Sequence, residues 1–415
     1  MILFFYRILI NVIILFSPII IFIRIFKKKE DPVRFIEKFS FSSKKRSKGK
    51  LLWFHGASVG EILSIIPLIE KFEKDKNINQ ILLTSNTLSS SKILNGLNLK
   101  KTIHQFFPID NFYFTKKFVN YWNPSIAVFI DSEIWPNMIT CIKKKKIPLV
   151  LLNARINKKS FNRWNSLGKI TKHLFAQFDV CYPSSEESKI HLKKLGVKKI
   201  KLIGNLKFSE TEKNKFIINN RLKNILASKY VLCAASTHPT EEKFIALNHK
   251  QIKKKYKNLI TIIIPRHVQR TKLILKELKY LELKIHTHSS KKCMKNDTDI
   301  LLVDSYGETK FFYSLSKIVF LGGSIIQHGG QNPLEPVRYG CNILHGPNIW
   351  NFKEVYKLLE KNKISNKVVN IKQLTSSVKK IFKKKNNTLK IANKIKKLGH
   401  KILNTTFKEI NSHIL

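Results

Sequence analysis

Two glutamates, Glu61 and Glu133, each follow an apolar segment of the kind that forms a buried parallel strand. Residues 51–54 (LLWF) precede the small-residue turn HGASVG and then Glu61, and residues 125–131 precede Ser132 and Glu133. Ligands of open α/β sheets bind beyond the carboxyl ends of the strands, and the two glycines before Glu61 allow a close approach. If the two strands are neighbours, the carboxylates can divide acid–base and charge-stabilising roles.

Each of these glutamates also has a structural explanation. Glu61 falls in the first turn of an amphipathic helix whose apolar face carries Ile62, Ile65, Ile66 and Ile69, and a carboxylate is favourable at a helix N-terminus. Asp131 and Glu133 precede Pro136, a residue suited to the start of a helix. Catalysis and helix capping therefore both stay open for these acids.

Lys207 belongs to the segment GNLKF at residues 204–208, which follows a predicted last strand of the first domain at residues 201–204. A lysine at the end of a strand can reach a phosphate or a developing anion. The alternative is a solvated surface lysine, since the chain is rich in lysine.

Three polar segments in the second half of the chain also follow predicted strands. STHPTEE (residues 236–242) offers hydroxyls and backbone N–H groups to an anion at a helix start, and Arg266 suits a bidentate phosphate contact. The paired glycines of residues 322–330 predict a phosphate cradle of bare backbone amides, followed by Glu335 in position to accept from ribose hydroxyls. This pattern is neither a P-loop nor a GxGxxG fingerprint.

Apolar runs alternate with helical patterns along the chain, which predicts βαβ units and two domains with parallel sheets. A polar segment at residues 207–215 separates them, so we predict domains at residues 51–208 and 209–415, the second ending in Lys-rich helices. The predicted strands lie at residues 51–54, 80–84, 102–107, 125–131, 148–153, 178–182 and 201–204, and at residues 230–235, 259–264, 284–287, 300–303, 317–321, 342–344 and 367–370.

Residues 1–26 carry only two charged side chains, Arg7 and Arg24, and the uncharged run between them is slightly short of the ~20 residues of a spanning helix. Three lysines follow at residues 27–29, which by the positive-inside rule leaves the rest of the chain cytoplasmic. We predict an uncleaved N-terminal membrane anchor and a basic linker at residues 27–50. A cleaved signal peptide and a helix that lies in the membrane interface are the alternatives.

The composition is strongly basic, with 77 Lys and Arg against 27 Asp and Glu and a formal charge of +50. Such a charge fits an anionic membrane, a phosphorylated substrate or a nucleic acid. Because the lysines are scattered and no RNA-binding motif or zinc-finger spacing is present, nucleic acid is not a predicted partner. The five cysteines are far apart, form no metal-ligand pattern and indicate a reducing compartment.

Taken in order, these motifs resemble those of the 3-deoxy-D-manno-octulosonic acid (Kdo) transferases, which build the inner core of lipopolysaccharide. The resemblance spans about residues 53–352 and implies a GT-B glycosyltransferase fold, in which two Rossmann-like α/β domains face a cleft behind an N-terminal membrane-anchor helix. The motifs that carry it are HGASVGE, SEIWPN, LLNARI, GNLKF, STHPTEE, PRH, DSYGE and GGSIIQHGGQNPLEP.

The resemblance also implies the reaction, which is transfer of Kdo from CMP-Kdo to the primary hydroxyl of lipid IVA with inversion at the anomeric centre. Glu61 matches the family's general base, while Glu133 and Lys207 match positions that stabilise the transition state. Tyr306 departs from the smaller or aliphatic residue frequent in relatives. The implied CMP-binding residues are Pro265, Arg266, Tyr306, Gly307, Glu308, Asn332, Pro333, Leu334 and Glu335.

The implied partners are CMP-Kdo, lipid IVA and anionic lipids of the inner membrane, on its cytoplasmic side. No metal or other cofactor is expected. The helix of residues 62–69 is a hypothetical docking face for the lipid, and closure of the domains is expected about residues 207–215. A transferase or epimerase that uses a UDP-sugar, and a basic protein that binds anionic membrane or nucleic acid without catalysis, are the competing readings. No residue decides how many Kdo groups are added.

Overall fold

The computed structural model describes residues 2–210, 219–290, 293–384 and 387–414. The chain divides into two compact units, unit 1 (Met1–Thr211 with Leu398–Leu415) and unit 2 (Glu212–Lys397). The sequence had assigned residues 209–415 entirely to the second domain, whereas the structure groups the end of the last helix with unit 1. Residues 211–215 of the expected hinge lie outside the described residues.

The C-terminal segment belongs to unit 1 because of its long-range contacts. The ring of Phe407 lies 4.7 Å from that of Phe72, and the Tyr182 hydroxyl donates to Glu409 at 3.1 Å. No local sequence pattern indicates these contacts, so the predicted domain boundary did not take them into account.

Unit 1 is built, within the described residues, on a six-stranded parallel sheet with the order β3-β2-β1-β4-β5-β6. Strand β1 pairs with β2 on one side and with β4 on the other, so the strand order reverses between β1 and β4. The predicted Rossmann-like sheet is confirmed, and the loops after β1 and β4 lie side by side. The strands are β1 (Leu51–His55), β2 (Gln80–Ser85), β3 (Thr102–Phe106), β4 (Ile126–Ile130), β5 (Leu149–Ala154) and β6 (Val180–Pro183).

The predicted strand at residues 201–204 is wrong. Only a single bridge forms there, between Cys181 and Ile200, and the chain then enters the 3-10 helix Leu206–Ser209. Gly204 has a φ of +120°, and the Leu206 N–H donates to the Asn153 side chain at 3.0 Å instead of to a neighbouring strand. A turn therefore replaces the strand.

The helices of unit 1 cover both faces of its sheet, and the strands are buried on both faces, as expected for a parallel sheet. On α2 (Val59–Glu73), Ile62, Ile65, Ile66 and Ile69 are all buried, so the hypothesis that this helix docks a lipid is wrong. The other helices are α1 (Ile2–Phe26), α3 (Leu88–Asn95), α4 (Phe112–Trp122), α5 (Pro136–Lys144), α6 (Lys158–Asn165), α7 (Lys169–Phe175) and α8 (Glu186–Lys194), with a 3-10 helix at Arg34–Phe39.

Helix α1 is long and apolar enough to cross a membrane by length and composition. One of its faces packs against unit 1: the Tyr6 hydroxyl donates to Asp110 at 2.6 Å, and Arg7 Nε donates to Asn137 at 2.9 Å. Ser17 and Ile21 are buried further along the same face. The other face is exposed and apolar, and it carries Phe4, Phe5, Leu9, Val12, Leu15, Phe16, Ile19, Phe22 and Phe26.

Unit 2 holds a second parallel sheet, seven-stranded over the described part of the chain, with the order β13-β12-β11-β7-β8-β10-β9. The order reverses between β7 and β11, which pair directly. The strands are β7 (Tyr230–Thr237), β8 (Leu259–Pro265), β9 (Ile285–Thr287), β10 (Ile300–Leu302), β11 (Ile318–Leu321), β12 (Asn342–His345) and β13 (Ser365–Lys367).

The second Rossmann-like unit is thereby confirmed as well. Its helices are α9 (Asn220–Ala227), α10 (Glu241–Lys253), α11 (Thr271–Leu278), α12 (Thr309–Ser314), α13 (Leu334–Arg338), α14 (Lys353–Lys361), α15 (Ile371–Lys383) and the first part of α16 (Thr388–Asn411), with 3-10 helices at Val268–Arg270 and Lys279–Leu281.

Candidate active site

Glu61 lies in the first turn of α2, directly beyond β1. Ser58 is the N-cap of this helix, and its hydroxyl donates to Glu61 Oε1 at 2.7 Å while the Ala57 N–H donates to Oε2 at 2.7 Å. The Glu61 N–H donates back to the Ser58 hydroxyl at 3.4 Å, so the arrangement is a variant of the capping box in which Ala57 supplies the backbone N–H. A Cβ atom at Gly56 would lie 3.2 Å from that of Glu61, so the turn has little room for a larger residue. The capping role left open by the sequence is therefore present.

The electrostatic surroundings of Glu61 suit a base as well as a cap. Burial raises the pKa of Glu61, and the charge of Glu133 raises it further, against the lowering effect of the Ser58 and Ala57 hydrogen bonds. A carboxylate whose pKa moves toward neutrality accepts a proton more readily near neutral pH.

Glu133 follows β4 and is held by two nitrogen donors. Its Oε2 atom lies 3.1 Å from His55 Nε2 and 2.8 Å from Trp135 Nε1. Because an ionised carboxylate only accepts hydrogen bonds, Nε2 of His55 carries the proton in this contact. The His55 ring is fully buried and stacks on Phe107 at 3.7 Å. Glu133 is thereby fixed in position.

Asp131 stands between these two glutamates at the end of β4, in the left-handed region with a φ of +62°. Among the described residues its buried Oδ1 atom has no hydrogen-bond partner. Burial raises the pKa of Asp131 to about 6; Lys207 and Arg155 oppose this increase, while Glu61 and Glu133 add to it. The structure therefore brings the predicted residues Glu61, Glu133 and Lys207 within electrostatic reach of one buried acid.

Lys207 reaches this position from a 3-10 helix, not from the end of a strand. Asn153, which has a φ of +53° in β5, accepts the Leu206 N–H, and Asn205 caps the turn by accepting the Lys207 N–H at 2.9 Å. These two asparagines place the lysine at the carboxyl edge of the sheet. Motif LLNARI contributes Asn153 and Arg155, to which the sequence had given no role.

The carboxyl edge of the first sheet thus combines three acids with two cations from the segments that follow β1, β4, β5 and β6. Such a set can accept a proton from a hydroxyl and offset charge that develops nearby. Within the described residues, no group of three or more His, Cys, Asp or Glu side chains is placed to hold a metal ion. His55 was missed because a buried histidine next to a glycine has no distinctive spacing.

In unit 2, the Glu241 carboxylate accepts hydrogen bonds from backbone N–H groups that were predicted to bind an anionic ligand. Its Oε2 atom accepts from the N–H groups of His238 at 3.0 Å and Gly323 at 2.7 Å, and its Oε1 atom accepts from Ser324 at 3.1 Å and Ile325 at 3.0 Å. The predicted cradle of bare amides after β11 is therefore wrong at these positions. The fully buried carboxylate ties the loop after β11 to the loop after β7.

Two further side chains of STHPTEE, those of Thr237 and Glu242, also bond within the protein. The Thr237 hydroxyl donates to Glu242 at 3.0 Å, and Arg270 donates to the same buried carboxylate at 2.8 Å. Thr240, the residue before α10, makes no side-chain capping bond and has a φ of +78°. The expected side-chain cap is therefore wrong at Thr240, and the Thr237 hydroxyl is not available to an anion because it is bonded to Glu242.

The nine residues matched to nucleotide contacts lie in loops at the carboxyl ends of β8, β10 and β11. Pro265 ends β8, and Arg266 after it is exposed. Tyr306 is also exposed, and its hydroxyl accepts from Gln269 at 2.9 Å, which joins the loops after β8 and β10.

The other matched residues surround two short helices. Gly307 has a φ of +87°, and Glu308 precedes α12 and lies 3.8 Å from His288. Asn332 accepts the N–H of the buried Leu334 at 3.1 Å, and Pro333 precedes α13. Glu335 lies 3.9 Å from Lys310, which joins α13 to α12.

A histidine cluster lies at the same edge and was not foreseen. The His238 ring centre is 4.2 Å from that of His328 and 6.2 Å from that of His267. His238 Nε2 is buried without a hydrogen-bond partner among the described residues. Burial, together with the nearby histidines and Arg266, lowers the pKa of His238 to about 4. The only indication of this cluster in the sequence was the presence of a histidine in each of three motifs.

Two Rossmann-like units with polar groups at each reversal of strand order define the GT-B architecture of nucleotide-sugar enzymes. A UDP-GlcNAc 2-epimerase from Neisseria meningitidis, solved with UDP-GlcNAc bound, is 16% identical with a TM-score of 0.58 and covers 86% of this chain and 100% of its own. A putative UDP-N-acetylglucosamine 2-epimerase from Listeria monocytogenes is 13% identical with a TM-score of 0.60, over 88% and 96%. At these identities the likeness concerns the fold alone.

Sequence relatives narrow the class to one family. Residues 33–210 match the family described as 3-deoxy-D-manno-octulosonic-acid transferase (kdotransferase). The 3-deoxy-D-manno-octulosonic acid transferase of Rickettsia bellii is 35% identical over 343 residues, 82% of this chain and 81% of the relative. That of Haemophilus influenzae is 30% identical over 315 residues, 74% and 73%. The chain belongs to the Kdo transferase family of glycosyltransferases, which confirms the family inferred from the motifs.

Proposed function

We propose that this Kdo transferase moves Kdo from CMP-Kdo to the primary hydroxyl of lipid IVA with inversion, and that Glu61 is the general base. The observation that carries the proposal is the raised pKa of the Glu61 carboxylate beside Glu133, at the strand reversal of the first sheet. The identity of the transferred sugar rests on the sequence relatives, which are named as 3-deoxy-D-manno-octulosonic acid transferases.

In the proposed reaction the acceptor oxygen forms a bond to the anomeric carbon of Kdo as the bond from that carbon to the phosphate oxygen of CMP breaks. The acceptor proton passes to the Glu61 carboxylate, and CMP leaves with the electron pair. A base held by Ser58 and Ala57 in one orientation needs little reorganisation during this step.

Glu133 and Lys207 would stabilise the charge that develops on the sugar and its surroundings. An oxocarbenium-like sugar is positive, and Glu133, fixed by His55 and Trp135, presents a negative charge of constant position. Lys207 offsets the charge of Asp131 and would also offset the charge of the Kdo carboxylate.

The donor would bind at the carboxyl edge of the unit 2 sheet, as the resemblance implies for residues 265–266, 306–308 and 332–335. Support comes from the exposed Arg266, the unpartnered His238 nitrogen and the neighbouring histidines, which suit an anion. Glu335, in the first turn of α13, is placed to accept from ribose hydroxyls. No other cofactor is part of the proposal.

We place the protein at the cytoplasmic face of the inner membrane, with α1 lying along the bilayer surface. Near the start of α1, Tyr6 and Arg7 form hydrogen bonds to other parts of unit 1. After the end of α1 the chain continues into the same unit, and Arg24 pairs with Glu30 there at 3.0 Å. A helix of 25 residues is about 37 Å long, so a crossing would separate Tyr6 from Asp110. The exposed apolar face and the basic residues after it fit an interfacial helix.

The test is transfer from CMP-Kdo to lipid IVA in mixed micelles, with the mass of the lipid product counting the Kdo groups added. Glu61→Gln should lower kcat about 10²–10⁴-fold. The matched control is Glu187→Gln, which removes an acid from the first turn of α8 and should stay within about twofold. An equal loss of kcat in both variants would indicate that Glu61 acts only as a helix cap.

UDP-GlcNAc serves as the second substrate in the same assay, because the structural neighbours named above are UDP-sugar enzymes. Turnover with release of UDP and none with CMP-Kdo would overturn the proposed donor. Binding of anionic vesicles without any product would favour the non-catalytic alternative.

A further inference from the structure

A groove of about 640 Å³ opens on unit 1 between α5 and the pair α6 and α7. It is lined mainly by Trp135, Trp164, Leu167, Ile170 and Leu174, and Tyr6 of α1 contributes to the same lining. Ligand pockets in proteins usually enclose about 300–1,000 Å³, so the groove has the size of a binding site.

The lining of the groove combines many apolar side chains with a few basic ones. Lys143 and Lys144 line one side, and His173 lies on the other. Lys143 pairs with Asp179 at 2.8 Å, whereas Lys144 is exposed and lies 5.2 Å from the Phe112 ring. An apolar groove with basic residues in its lining is complementary to a chain that carries an anionic head.

Trp135 connects this groove to the candidate active site. Its indole lines the groove, and its Nε1 atom donates to Glu133 at 2.8 Å. A chain bound against the indole would therefore have its polar end near the carboxylates. Tyr6 of α1 also lines the groove, and the exposed face of α1 is apolar, so a membrane surface that binds this face would lie next to the groove.

We propose that this groove binds one acyl chain of the acylated, phosphorylated acceptor and so positions the acceptor hydroxyl for transfer. The inference rests on the proposed function, and it identifies the part of the molecule that binds the lipid chain of the acceptor. It also replaces the α2 helix, whose isoleucines are buried, as the lipid-binding surface.

The first experiment fills the groove with Ile170→Trp and measures KM for two acceptors, lipid IVA and the same phosphorylated disaccharide without acyl chains. We expect KM for lipid IVA to rise at least tenfold, while the values for the deacylated acceptor stay within twofold of wild type. Ile190→Trp is the matched control, because Ile190 is 53% exposed on α8, outside the groove.

A second experiment needs no turnover. Lipid IVA carrying a diazirine at the end of one acyl chain is photolysed with the full-length protein, and the labelled peptide is identified by mass spectrometry. Labelling should fall within residues 164–177 and be lost in Ile170→Trp. Thermal unfolding of both tryptophan variants checks that they fold as wild type does.

The outcomes separate this inference from the proposed function. If Ile170→Trp transfers Kdo to lipid IVA with an unchanged KM, the proposed reaction stands but the proposal that the groove binds an acyl chain is wrong. Competition for labelling by phosphatidylglycerol as efficiently as by unlabelled lipid IVA would also overturn it, since the groove would then hold bulk membrane lipid. Absence of transfer by the wild type, together with specific labelling, would overturn the reaction and keep the groove.

Discussion

Nε2 of His55 lies 3.1 Å from Oε2 of Glu133, and the two residues come from the ends of neighbouring parallel strands. His55 is the last residue of β1, and Glu133 follows β4 by three positions. The contact exists because parallel neighbouring strands end at the same edge of the sheet, and the reversal of strand order at this pair leaves a crevice there between the two loops. The candidate site is therefore a direct product of the topology.

Replacement of Trp135 by Phe should lower kcat without changing the fold. The variant removes the Nε1 donor to Glu133, and a hydrogen bond to a charged group contributes about 1.5–3 kcal/mol. We expect kcat to fall about 10–100-fold at saturating acceptor. A double-mutant cycle with Glu133→Gln checks the route, because the two losses should be far from additive if Trp135 acts through Glu133. Additive losses would contradict this reading.

Most of the fold was predictable because parallel strands are short apolar runs between helical patterns. Strands such as β1 and β4 were located to within about a residue at each end, and their adjacency followed from Rossmann topology. The false strand at residues 201–204 has the same apolar pattern. It fails because Gly204 and the side chain of Asn153 redirect the backbone, and neither effect is visible in hydrophobic periodicity.

The site was predictable only in part. Strand ends and residue types located Glu61, Glu133 and Lys207, but a sequence cannot show which backbone amides are already bonded. The loop after β11 looked like a phosphate site because of its glycines. In the structure a Cβ atom at Gly322 would lie 2.3 Å from the Ser236 carbonyl oxygen, so this glycine serves close packing around Glu241.

Asp131→Asn should stabilise the protein at neutral pH at the expense of activity. The pKa of Asp131 is raised to about 6 from an ordinary 3.8, so its ionised form costs about 3 kcal/mol once the pH exceeds 6. The Asn variant should gain up to that amount at pH 7.5, and the gain should disappear as the pH falls from 6 through 3.8. Urea unfolding of the full chain across this range measures the effect. A gain that is independent of pH would exclude ionisation as its cause.

Glu241→Ala should strongly destabilise unit 2. The substitution leaves four buried N–H groups without an acceptor, and each such group costs about 1–3 kcal/mol. Glu241→Gln keeps one carbonyl oxygen and should lose less. Glu277→Ala on α11 serves as the control, with a change within about 0.5 kcal/mol. Normal unfolding of Glu241→Ala combined with weak CMP binding would instead make this carboxylate a ligand-binding group.

Binding of CMP should be coupled to protonation of His238. In the free protein, burial and the surrounding cations lower the pKa of His238 to about 4, so the ring is neutral at pH 7. A phosphate near its unpartnered Nε2 atom would supply the missing negative charge and raise that pKa. Proton uptake on binding should then be greatest at a pH between about 4 and the pKa of the bound state, and should vanish well above it.

Calorimetry in two buffers of different ionisation enthalpy measures this uptake between pH 5 and pH 7. His238→Gln should abolish the histidine contribution and weaken CMP binding about tenfold, while leaving the proton exchange of the CMP phosphate itself. His286→Gln, on β9, is the matched control and should behave as wild type. Equal proton uptake in wild type and His238→Gln would place the phosphate elsewhere, and the buried nitrogen of His238 would then be a feature of packing around Gly323.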